Sequence, residues 1–105
     1  MHITIRRYKT DSPKEVTPIV NERFFPLISN IAGFVAYYGI ELGEDGWLSI
    51  SVFETAAGAE ESNRVAANFI KDNPDLARLV KSPPIAVAGS VVAYKAKWRR
   101  NSTFP

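Results

Sequence analysis

The chain has 105 residues, 46% apolar and 23% charged, with six Gly and seven Pro, a balance that supports one compact domain and excludes a disordered tail or linker. Without Cys it cannot build a disulfide framework or a thiolate metal site, and a single His, at position 2, excludes multi-His metal sites and argues against a Ser-His-Asp triad. The net charge of +2 is local: residues 1–94 carry nine Lys/Arg against eleven Asp/Glu, and Lys95, Lys97, Arg99 and Arg100 reverse the sign.

Ile3 to Tyr8 alternates with β-branched residues and reads as a strand. Ser12, Pro13 and Glu15 then have the form of a capping box with proline at the first helical position. Val16, Val20, Phe24, Leu27 and Ile31 recur at helical spacing behind it, with Pro18 and Pro26 on the opposite, wet side, which predicts one kinked helix. Gly33 closes the helix, and Phe34–Leu42 follows as a nearly continuous apolar strand. Gly43-Glu44-Asp45-Gly46 is a hairpin loop. Trp47–Phe53 alternates cleanly, with Leu48, Ile50 and Val52 on one face and Trp47, Ser49, Ser51 and Phe53 on the other. A second helix is predicted over about 56–72, a further helical turn over 75–80, and a last apolar strand over 85–94.

The order β-α-β-β-α-β predicts a ferredoxin-like α+β domain, with a four-stranded antiparallel sheet covered by both helices on one face. Strands two to four are apolar on both faces, with Tyr38, Trp47, Phe53 and Val91 as candidates for the uncovered one. Two helices cannot cover both faces, so a homodimer through the sheet is expected. The domain is placed at residues 1–96. Residues 97–105 form a basic tail, read as a solvated segment although Trp98 among its cations has the look of a strand-tracking surface. No nucleic-acid partner and no membrane contact are expected. With no leader-like apolar segment after Arg6 and Arg7 and no apolar run of membrane-spanning length, the expected location is cytoplasmic.

Arg6 and Arg7 point to opposite faces of one strand, so one must meet an apolar layer and needs a partner, for which Glu54 is the candidate. Tyr8, Tyr38, Trp47, Ser49, Ser51, Ser62 and Asn63 are the candidate ligand-binding residues, neutral donors or acceptors beside apolar surface. Ser62 falls within the second helix's apolar arc and Asn63 at its edge, next to Ala59 and Ala66, which are too small to fill the space above a sheet. Each also has a purely structural reading. Ser62 can return its hydroxyl to the carbonyl of Gly58, Ser49 and Ser51 can make room in a dimer, and the Tyr37-Tyr38 pair can serve packing. None of these side chains is a base poised near neutrality.

Gly33–Tyr38, Leu48–Glu54 and Glu61–Ala66 resemble the antibiotic biosynthesis monooxygenase superfamily of small dimeric α+β barrel proteins, over roughly residues 2–94. The resemblance implies two sheets closing into a barrel in the dimer, with a ligand pocket between sheet and helices in each subunit. It also implies one of several activities, among them oxygenases without metal or flavin, and haem degradation. Haem-degrading members use a His on or after the second helix and a Trp, and this chain has neither beyond Leu48 and before Lys97, so haem is not expected. The resemblance therefore points to a cofactor-independent monooxygenase of an aromatic or quinol-like small molecule, with no cofactor and no metal. The alternative is a non-catalytic dimeric module of the same fold, small-ligand-binding or stress-associated.

Overall fold

A computed structural model describes residues 1–44 and 46–97. The elements are β1 (His2–Lys9), a helical run of α1 (Pro13–Ile19), a π-helical turn (Val20–Phe24) and α2 (Phe25–Ser29), then β2 (Phe34–Glu41), β3 (Gly46–Phe53), α3 (Ala56–Asp72), α4 (Pro74–Leu79) and β4 (Ile85–Ser90). The strands form one antiparallel sheet in the order β2-β3-β1-β4, the ferredoxin-like arrangement that the element order predicts.

The first helix is continuous but widened. Phe25 N–H bonds back to the carbonyl of Val20, one residue further than in an α-helix. The wider turn makes room for Pro26, whose ring would clash with the carbonyl four residues back and which has no N–H to donate. It also delays the helix's rotation, so the buried stripe runs Val16, Val20, Phe24, Ile28. Leu27, expected in that stripe, is 47% exposed, while Ile28 is wholly buried. The expected capping box does not form either. The Ser12 side chain caps nothing; its N–H is taken by Thr10 Oγ1 at 3.0 Å and its carbonyl receives Glu15 and Val16 N–H. On α3 the cap is Thr55, whose Oγ1 accepts Gly58 N–H at 3.1 Å. Gly33 adopts φ 80°, a left-handed turn residue between helix and β2, and its carbonyl ties to Glu54 N–H at 2.8 Å. The last strand is shorter than expected, ending at Ser90 with Val91 N–H on the Met1 carbonyl. Residues 98–105, most of the expected basic tail, lie outside the described residues, as does Asp45 of the hairpin loop.

Strand register decides which face the helices cover. Thr4, Arg6 and Tyr8 of β1 stand beside Ser51, Ser49 and Trp47 of β3, and these are buried under the helices together with Phe53. Trp47 and Phe53, candidates for the uncovered face because β3 is apolar on both sides, lie instead under the helices. The uncovered face carries Ile3 and Ile5, Leu48, Ile50 and Val52, Ala36, Tyr38 and Ile40, and Ile85 and Val87. The distribution is inverted relative to a half-buried sheet, because serines, a threonine and an arginine lie inside while branched aliphatics face out. Among the described residues no helix is long and apolar enough to cross a membrane.

Candidate functional site

Arg6 is 2% exposed, deep between β1, β3 and α3. Its Nη2 donates to Ser51 Oγ at 2.8 Å, and its Nη1 donates to Asn63 Oδ1 at 2.9 Å and Ser62 Oγ at 3.4 Å. Asn63 Oδ1 also accepts Thr4 Oγ1 at 3.0 Å, and Ser62 Oγ donates to the Ala59 carbonyl at 2.6 Å. Ser62 therefore bonds back three residues and not four, as expected from its place on the helix. Glu54, the expected partner of the buried arginine, is exposed and is not among the groups on Arg6. Every hydrogen-bond partner of the guanidinium among the described residues is a neutral oxygen. Arg6 Nε and Ser49 Oγ are buried without a well-formed hydrogen bond.

Beside this cluster lies a cavity of about 30 Å³, lined by Tyr8, Phe24, Tyr37, Trp47, Phe69 and aliphatic side chains. It is the size of one water molecule. Phe24 packs against Tyr37 and Phe69 with ring centroids 5.5 and 5.1 Å apart, so the walls are aromatic and close-packed. Val20, Tyr37 and Trp47 also line an open groove of about 670 Å³ at the β2 edge, with Thr17, Asn21, Phe25, Tyr38, Gly39 and Ile40. Cavity and groove are two sides of one partition. Trp47 holds that partition through Nε1, which donates to Thr17 Oγ1 at 3.1 Å, while Thr17 Oγ1 donates to Glu41 Oε2 at 2.7 Å.

Burial pushes the Tyr8 phenol above the ordinary tyrosine value and the Tyr37 phenol well above it, against the pull of the Arg6 guanidinium on both. The Ser49 hydroxyl lies near enough to Tyr37 to favour its anion, yet falls short of a good hydrogen bond. Both phenols are therefore neutral donors at physiological pH.

The structure puts the candidate residues in three places. Ser49, Ser51, Ser62 and Asn63 gather around Arg6, whereas Tyr8 and Trp47 wall the cavity and Tyr38 stands on the opposite sheet face at the groove's margin. Arg6 is the residue that the candidate set missed. Its signal was the phase it shares with Thr4 and Tyr8, opposite to Ile3 and Ile5.

Gly39 carries a prediction. A Cβ there would lie 2.4 Å from Trp47 Cη2, so only glycine lets the indole lie across β2. Gly39→Ala is expected to displace the ring, break its bond to Thr17, and cost about 1–3 kcal/mol in overpacking. A changed Trp47 indole N–H resonance with a lowered unfolding midpoint checks it; an unmoved resonance contradicts it.

No protein-family model and no curated sequence matches the chain. Solved structures do. The ActVA-Orf6 monooxygenase of Streptomyces coelicolor, determined with the ligand nanaomycin D, superposes at TM-score 0.72 and 11% identity over 92% of both chains. The fold is that of the antibiotic biosynthesis monooxygenase-like proteins. SnoaB, a cofactor-independent oxygenase from Streptomyces nogalater, is similar at TM-score 0.67 and 14% identity over 91% of this chain and 97% of that one. A protein of unknown function from Nitrosomonas europaea reaches 0.70 at 19% identity over 93% and 95%. At these identities the likeness is one of architecture, and the monooxygenase-like fold hosts more than one role.

Proposed function

We propose that the chain works as a homodimer that binds a planar aromatic small molecule at the groove and cavity, and oxygenates it without a metal or organic cofactor. The observation that carries the reading is the aromatic partition of Tyr37 and Trp47 shared by a small cavity and a groove large enough for a fused-ring ligand. The names of the structural neighbours, an oxygenase and a monooxygenase, support the chemistry.

In that chemistry the substrate supplies the electrons. A naphthol reacts as its anion with O2: a ring carbon–oxygen bond forms, the O–O bond then breaks, and one oxygen stays as quinone while the other leaves as water. The protein's part is to hold the ring, exclude bulk water and favour the anion. The neutral phenols of Tyr8 and Tyr37 can donate hydrogen bonds to a developing oxyanion. A second reading, binding without turnover, is favoured by the absence of any carboxylate or imidazole among the described groups around Arg6 and the cavity that could take a proton.

The dimer reading rests on the uncovered face, where Ile85 and Val87 are 69% and 59% exposed and Tyr38 and Ile40 continue the layer across the sheet. A face of this kind, apolar but for Arg7 between Leu48 and Ile85, is best covered by its twofold copy, facing sheet to sheet. The cytoplasmic location expected from the sequence is part of the same proposal.

The test is titration with 1-naphthol, followed by oxygen uptake. Binding that weakens about tenfold or more in Tyr37→Ala, with O2 consumed and naphthoquinone formed, supports the oxygenase. Binding without O2 uptake selects the second reading, and no binding overturns both.

A further inference from the structure

We propose that Arg6 receives the ligand's ionised oxygen, so that the site takes aromatic anions, phenolates and enolates, in preference to neutral arenes. This rests on the ligand reading above and gives it a charge.

A row of small residues leads from the groove to the guanidinium. Gly39, in the groove wall, pairs with Ser49, and Ser49 pairs on its other side with Arg6, beyond which stands Ala86. What lies over Gly39 is the Trp47 indole, a side chain tethered by its bond to Thr17, and not backbone. A ring taking the indole's place above Gly39 would thus have its oxygen directed at Ser49 and Arg6.

At the end of that row two polar atoms are left over, Arg6 Nε and Ser49 Oγ, both buried and both able to donate. The residues that bond Arg6 or stand beside it in register are neutral: Ser51 and Ser49 from β3, Ser62 and Asn63 from α3, exposed Ala86 from β4, with Tyr8 of β1 and Tyr37 of β2 as the titratable groups within its field. A cation out of water without a counter-charge is costly to keep, and a bound anion removes that cost. A guanidinium with a free N–H beside a serine hydroxyl matches one oxygen that carries negative charge. It also answers the lack of a base beside Arg6 and the cavity: a fixed positive charge favours the ionised form of the substrate.

The experiment follows 4-nitro-1-naphthol, whose anion absorbs visible light, bound to the full chain and titrated with pH. Wild type is expected to lower the bound probe's pKa by about one unit or more, a tenfold preference for the anion, and to bind its neutral methyl ether at least tenfold more weakly than the anion. In Arg6→Met the bound titration returns to the free value while the methyl ether binds as before; in Arg6→Lys, which keeps the charge, the shift persists. Binding with an unshifted titration in wild type, or a shift that survives in Arg6→Met, overturns the inference while leaving the ligand reading in place. If neither probe nor ether binds, the ligand reading fails, and this inference with it. The wild-type comparison of anion and ether decides the matter even where Arg6→Met does not fold.

Discussion

Phe53→Asp is expected to abolish the folded state. Phe53 is fully buried, packed edge-on to Phe34 with ring centroids 5.8 Å apart and pressed against Gly58, where even a Cβ would come within 2.8 Å of Phe53 Cδ1. Losing the ring costs about 3–5 kcal/mol. An unpaired carboxylate left in its place adds several more, against a whole-domain stability of about 5–15 kcal/mol. Circular dichroism and urea titration should show no cooperative transition for the Asp variant. Phe53→Leu should keep the transition at a lower midpoint. An Asp variant with a near-wild-type transition would mean that the helix-covered face is not the core.

The second large effect is on assembly. Val87 lies on the uncovered face, opposite Ile5 in the register of β1 and β4, and is 59% exposed within one chain. Lysine there has water available in the monomer, so the stability of the isolated chain should change by no more than about 0.5 kcal/mol. In a sheet-to-sheet dimer the twofold axis places two such charges in one apolar layer, and dissociation should become roughly a hundredfold easier or more. Sedimentation equilibrium of wild type and Val87→Lys at micromolar concentration reads this directly. A wild type that sediments as a monomer sinks the dimer, and a Val87→Lys dimer as tight as wild type moves the interface off this face.

The two variants probe opposite faces of one sheet, and their contrast has a functional side. The covered face surrenders packing to Arg6, Ser49, Ser51 and Ser62, while the uncovered face keeps the aliphatic residues. An interior that spends six positions on polar groups, these four with Thr4 and Thr10, and leaves two of their atoms unsatisfied, has been arranged for something other than stability. The same inversion gives the uncovered face its need for a partner.

Period-two and helical spacing, together with Gly33 and the prolines, were enough to lay out the element order and hence the ferredoxin-like fold, because each depends on local geometry that a few neighbouring residues dictate. The alternation in β3 likewise separated Leu48, Ile50 and Val52 from Trp47, Ser49, Ser51 and Phe53. Alternation distinguishes two faces but carries no sign, so Trp47 and Phe53 could stand only as candidates for the uncovered one. Which face the helices cover was decided by packing across the whole domain. The π turn was equally silent in sequence, since it follows from how Pro26 settles within a helix pressed on a sheet, and it moved Ile28 into Leu27's place. The polar site was visible only as scattered residues: Ser51, Ser62 and Asn63 lie 45, 56 and 57 positions from Arg6. What joins them is the antiparallel register and the way α3 lies across β1 and β3, and these long-range contacts exist only once the chain has closed on itself.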